Sequence, residues 1–159
     1  MPKRQRKKRK KIRESVLKSA LAKRFEKKWG QYEFENNIKI VYPNEGKNII
    51  CPYSSFYEEN SKWFWGIPKK NWDNWGDNDY LVLILENEIE GFSMILFTPN
   101  ESKALLRKCG IQKENKNKLI NLRIYKEDDI VKFQEDKKFD VNKRIRSLKK
   151  SIEYWILNN

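Results

Sequence analysis

The sequence predicts an α+β fold: a mainly antiparallel sheet with an N-terminal basic amphipathic helix, one short middle helix and a C-terminal helix. Three observations carry this. Apolar residues recur every three to five positions near both ends of the chain. Between them lie short apolar runs separated by Pro, Gly and Asn turn signals. The stretch "TPNE" at 98–101 is a capping box in front of a helical segment.

Taken in order, "PKRQRKKRKK" (2–11) is a block of cations with no apolar residue. Mutual repulsion predicts a disordered basic arm over residues 1–11, followed by a single domain over 12–159. Ile12, Val16, Leu17, Ala20, Leu21, Phe25 and Trp29 then draw one apolar stripe, with Gly30 as the stop. Lys18, Lys23, Arg24, Lys27 and Lys28 are expected on the exposed sides of this helix.

The middle of the chain reads as strands. "IKIVY" (38–42) and "NIICPY" (48–53) flank the turn "PNEG", and "KWFWGI" (62–67) is a third. "YLVLIL" (80–85) and "FSMILF" (92–97) are expected to form a hairpin. Their unbroken apolar character predicts strands covered on both faces in the middle of a sheet. "NLRIY" (121–125) and "IVKFQ" (130–134) make a second hairpin, with Leu122, Ile124, Val131 and Phe133 alternating against polar neighbours. Between the hairpins Thr98 caps a helix, Pro99 takes its first position, Glu101 reaches back and Gly110 ends it. A last helix is expected after Asp140, with Val141, Ile145, Leu148, Ile152 and Ile156 on one face.

Composition narrows the function. At 159 residues, with 38% apolar and 36% charged residues, the chain has room for one modest core under a highly charged surface. The net charge of +13 is unevenly spread. Residues 1–28 hold fourteen Lys and Arg against Glu14 and Glu26, a net of +12, which leaves +1 for the other 131 residues. Such asymmetry points to an arm that binds nucleic-acid phosphates. The chain has no histidine, which excludes a Ser-His-Asp triad, a Cys-His pair and any His-dependent nuclease or zinc site. Cys51 and Cys109 form no C-x-x-C pair and read as buried thiols. No apolar run approaches the roughly 18 residues of a membrane span, and no apolar segment follows the basic start as in a secretory signal. A cytoplasmic, nucleoid-associated location is expected, or a nuclear one in a eukaryotic source, with no membrane partner.

The run "KWFWGIPKKNW…DYLVLIL…FSMILFTPNESKALL…LRIY…FDVNKRIRSL" resembles an α+β domain found in bacterial restriction-endonuclease-like and phage-derived proteins. The resemblance covers about residues 48–148 and rests on core pattern: a Trp-Phe-Gly-like strand, an apolar hairpin and a short helix opened by Pro. Trp65 between Phe64 and Gly66 departs from that pattern. The resemblance implies a setting in DNA processing or defence and carries over no catalytic residue.

Two constellations carry chemistry. The first is acidic: "YLVLILENEIEGF" (80–92) ends an apolar run in Glu86, Glu88 and Glu90. A phosphodiesterase needs two or more carboxylates converging on Mg²⁺. Asp79 and Glu86 stand at opposite ends of one strand, roughly 20 Å apart at strand spacing, so Glu86 would need Glu58 or Glu59 as co-ligands. "ENE" and "EIE" lack the Lys of the usual nuclease signature. A polar hairpin loop closed by Gly91 explains the same glutamates without a metal.

The second is aromatic. Residues 53–75 hold Tyr53, Phe56, Tyr57, Trp63, Phe64, Trp65, Trp72 and Trp75. Alternation sends Trp63 and Trp65 to one face and Phe64 to the other. Rings beside Lys62, Lys69 and Lys70 suit unstacked bases, and Trp72 and Trp75 lie in a polar loop.

The expectation is therefore a nucleic-acid-binding protein, with DNA favoured over RNA and no cofactor. Its phosphate contacts are expected from Lys3, Arg4, Arg6, Lys7, Lys8, Arg9, Lys10, Lys11 and Arg13 in the arm. Lys23, Arg24, Lys27 and Lys28 on the helix, and Lys69, Lys70, Trp72 and Trp75, add to them. The alternatives are a Mg²⁺-dependent nuclease with Glu86 as its catalytic acid and Glu86, Glu58 and Glu59 as ligands, and an RNA- or ribosome-associated basic protein.

Overall fold

The computed structural model describes residues 3–57, 59, 61–68, 71, 75–87, 91–109, 119–127, 130–133 and 146–147, and among them forms an α+β fold with two helices and two sheets. The helix expected from Ile12 begins at Lys3: α1 spans Lys3–Trp29, so the basic stretch 3–11, read from sequence as a separate arm, continues the helix without a break. Lys and Arg are good helix formers, and no Gly or Pro interrupts this span. Gly30 ends it at φ +82°, its N–H bonded to the Glu26 carbonyl at 2.8 Å. A Cβ at Gly30 would lie 2.7 Å from Asn44 Nδ2, the movable end of an exposed side chain, so it is the positive φ that calls for glycine here.

The larger sheet holds seven strands. Along its main path run β1 (Glu33–Asn36), β2 (Lys39–Tyr42), β3 (Lys47–Ile50), β7 (Asp79–Asn87), β8 (Gly91–Phe97) and β11 (Arg146–Ser147), while β4 (Tyr53–Ser54) also pairs with β7. The smaller sheet is antiparallel throughout: β10 (Ile130–Phe133), β9 (Leu119–Glu127), β6 (Lys62–Pro68) and β5 (Phe56–Tyr57). The expected single, mainly antiparallel sheet is thus two sheets, and the larger is mixed, because β3 and β4 both run parallel to β7. "NIICPY" is split at Cys51-Pro52, where proline has no N–H to give to a ladder. Within the expected C-terminal helix, Arg146 and Ser147 pair with Met94 and Ser93 as a short strand, and the rest of that helix lies outside the described residues.

The hairpin of β7 and β8 lies within the larger sheet, as its apolar runs predict. Leu81 to Leu85 are all buried, and alternate residues face two different cores. Leu81, Leu83 and Leu85 join Trp63, Trp65, Ile67, Leu122 and Ile124 of the smaller sheet. Val82 and Ile84 join Leu21, Ala22 and Trp29 of α1. The helix therefore covers one face of the large sheet and the small sheet covers the other. Burying each such side chain contributes about 1.5–3 kcal/mol. The second helix, α2 (Pro99–Cys109), adds Leu105 and Leu106 to the core between the sheets. Its capping box is formed as expected: Thr98 N–H donates to Glu101 Oε1 at 3.2 Å, and Glu101 N–H to Thr98 Oγ1 at 3.4 Å.

Candidate nucleic-acid interface

An aromatic cluster seats α1 on the sheet. Trp29 is buried, with Phe25 stacked on it at 4.7 Å, Tyr42 edge-on at 5.2 Å and Tyr80 tilted at 4.9 Å. The Lys47 ammonium lies 5.0 Å from the centre of the Trp29 ring. Tyr42 donates its hydroxyl hydrogen to the Ala22 carbonyl at 2.8 Å, and burial raises the pKa of that phenol, so it stays a donor.

With Leu17, Leu21, Ala22 and Trp29 turned inward, Lys23, Arg24, Lys27 and Lys28 are all exposed. Lys27 and Lys28 also occupy the last turn, where the helix dipole favours cations. Two helix residues depart from the sequence expectation. Val16 is 57% exposed instead of joining the stripe. Lys18 is buried instead of solvated: its ammonium is held by Glu14 at 2.8 Å and by the Asn37 carbonyl. A groove of about 640 Å³ between α1 and β1 is lined by Ser15, Ser19, Phe34 and Asn36, with this internally neutralised Lys18 in its wall. The backbone of Lys3, Arg4, Arg6, Lys7, Lys8, Arg9, Lys10, Lys11 and Arg13 continues the same helix, and their side chains lie outside the described residues.

Glu86 sits at the far end of β7 from Asp79, as expected. Unlike a solvated loop acid, it is half-buried and accepts a hydrogen bond from Tyr53 Oη at 2.7 Å. Asn87 pairs with Gly91, which leaves three residues for the turn; Glu88 and Glu90 are among them and lie outside the described residues. Glu59 is exposed, and Glu58 lies outside the described residues. Among the described residues no group of three Asp, Glu or Cys side chains converges on a point that would hold a metal. The other acids near the start of β7 are engaged locally. Asp79 accepts from Asn48 Nδ2 at 2.8 Å and from the Gly76 N–H at 2.5 Å. Asp77 pairs with Lys103 of α2, whose hydrogen bond lowers the pKa of the exposed carboxyl.

The aromatics divide cleanly. Trp63 and Trp65 are buried between the sheets, and Phe64 faces outward from the smaller sheet, where the Arg123 guanidinium lies 5.5 Å from its ring centre. Trp75, expected in a polar loop, is half-buried against the core between the sheets. Lys69, Lys70 and Trp72 lie outside the described residues. Arg123 and Tyr125 are partly exposed, and the alternation of "NLRIY" turns them away from the buried Leu122 and Ile124.

Comparison of the chain with protein-family models, curated proteins and solved structures finds no match. No helix among the described residues is long and apolar enough to cross a membrane.

Proposed function

We propose that this is a nucleic-acid-binding protein, with DNA its favoured partner, in which α1 lays its cationic outer side along the phosphate backbone. One observation carries the reading: Lys23, Arg24, Lys27 and Lys28 are exposed on a helix whose inner side is anchored to the core, and that helix is continuous with a segment holding nine cations from Lys3 to Arg13. A rigid, anchored row of cations matches the regular charge of a nucleic-acid strand. Like charges three and four residues apart also destabilise a helix by about 0.2–0.5 kcal/mol per pair, and phosphates relieve that repulsion. Polyanion binding and helix stability in the first turns are thereby coupled.

The Tyr53 hydrogen bond to Glu86 supports a structural role for that carboxylate over a catalytic one. A DNA-processing or defence setting rests on the resemblance of the 48–148 segment alone. The test is to incubate the purified protein with linear duplex DNA and with RNA, with and without Mg²⁺, and to read both mobility shifts and cuts. Shifts without cuts, abolished by raised salt and indifferent to Mg²⁺, support the binder. Mg²⁺-dependent cutting that is lost in Glu86→Ala would replace it with the nuclease.

A further inference from the structure

We infer that the outer face of the four-stranded sheet is a stacking platform for single-stranded nucleic acid. The inference rests on the reading of the protein as a nucleic-acid binder and assigns a second surface, distinct from α1. Strand register assembles the platform. Tyr57 on β5 pairs with Lys62 on β6, and Lys62 pairs with Tyr125 on β9, so these three stand in one row across the sheet. Two residues along β6, Phe64 pairs with Arg123. Residues two apart in a strand, and residues directly opposite in an antiparallel pair, share a face. Tyr57, Lys62, Phe64, Arg123 and Tyr125 therefore all lie on one side.

The core fixes which side. Trp63, Trp65, Leu122 and Ile124, the residues between them, are each no more than 3% exposed and fill the space between the sheets. A register slip that hid the platform would expose two buried tryptophans, so the burial of Trp63 and Trp65 holds the arrangement in place. The platform residues are open by comparison: Tyr57 is 49% exposed, and Lys62, Phe64, Arg123 and Tyr125 are partly exposed. Arg123 lies over the Phe64 ring, a cation–π pair that places positive charge beside the aromatic surface.

Three rings and two cations, with no carboxylate among the described residues of these rows, match one chemistry: unstacked bases on a negatively charged backbone. Every base has a π-face, so such a surface is tolerant of sequence, while a duplex keeps its π-faces inside its own stack. The surface thus selects strand state, where binding to phosphate alone does not.

The experiment measures fluorescence anisotropy of a short labelled oligo-dT, an oligo-rU and a duplex of matching length, at one salt concentration. The proteins are the wild type, Tyr57→Ala, Phe64→Ala, Phe64→Tyr and the α1 variant Lys23→Gln/Lys27→Gln. Circular dichroism confirms the fold of each. Loss of a ring is expected to weaken binding to at least one single strand by roughly fivefold to a hundredfold. Duplex affinity should change less than about twofold, and Phe64→Tyr should keep wild-type affinity. Tyr57 is the most exposed ring and its substitution leaves the core intact, so the test stands even where Phe64→Ala is unstable. Three outcomes overturn the platform while leaving the binder reading intact: unchanged single-strand affinity in Tyr57→Ala, equal loss for single strand and duplex, or single-strand binding lost only in the α1 variant. A wild type that binds none of the three probes overturns both.

Discussion

Trp65 donates its indole N–H to the backbone carbonyl of Ile84, 3.1 Å away, and so joins the smaller sheet to the central strand of the larger one. Trp63 repeats the arrangement two residues away, donating to the Glu86 carbonyl at 2.8 Å. Two buried rings of one strand thus meet alternate carbonyls of another, and hydrophobic burial and hydrogen bonding act at the same place. Trp65→Phe keeps most of the apolar area but leaves a buried carbonyl without its donor and a void beside it. It should cost about 2–3 kcal/mol in denaturant unfolding. A change below about 0.5 kcal/mol would show that the indole hydrogen bond contributes nothing.

Glu86 and Tyr53 should behave as a coupled pair. A hydrogen bond to a charged, half-buried acceptor makes Glu86→Ala cost about 1–2 kcal/mol, more than a solvated turn residue would. Tyr53→Phe should cost a similar amount, and the double variant should be no worse than either alone. Additive losses in the double-mutant cycle would separate the two residues.

Removing the cap at Thr98 should act locally. Thr98→Ala strips the acceptor used by the Glu101 N–H and should cost about 1 kcal/mol, read as a lowered unfolding midpoint. Thr98→Ser keeps the oxygen and should restore most of it.

Cys51 should be chemically silent in the folded protein. Burial pushes its thiol up to about 12 from an ordinary 9.0. Since the folded value is the higher one, its contribution to stability is complete below pH 9.0 and is lost as pH rises toward about 12. In a Cys109→Ser protein, a thiol reagent at neutral pH should label only after denaturant is added. Rapid labelling of the native protein would mean that the core beneath α1 opens.

What the sequence made legible was local. The capping box at 98–101, the stop at Gly30 and the two hairpins depend on residues close in the chain, and each is present. What it hid depends on distant partners. β1 reads as the polar "EFEN" and becomes a strand only by pairing with β2. The parallel pairing of β3 and β4 with β7 joins segments some thirty residues apart, and no local signal marks it. Lys18 lies on the inner side of α1, and the Glu14 carboxylate and the Asn37 carbonyl make its burial tolerable. Val16 fits a loose spacing of three to five, yet at about 100° per residue it falls off the line through Leu21, Phe25 and Trp29. In the candidate sites, the helical spacing put Lys23, Arg24, Lys27 and Lys28 on the surface, but only strand register could bring Tyr57, Phe64 and Tyr125 onto one face.

If the outer side of α1 binds phosphates, DNA binding by this protein must depend on salt through the α1 cations. The measurement compares the slope of log Kobs against log salt for the wild type, for Lys23→Gln/Arg24→Gln/Lys27→Gln/Lys28→Gln, and for a chain lacking residues 1–11. The deletion spares every buried residue of α1 described, since these begin at Leu17, so the fold should survive it. Each phosphate left without its cation should reduce the slope by about 0.9 for duplex DNA. A steep wild-type slope is expected, with the quadruple variant flatter by about 2–4 and the deletion flatter still, with much weaker binding at low salt. Wild-type affinity and slope retained in both variants would show that α1 does not hold the phosphates.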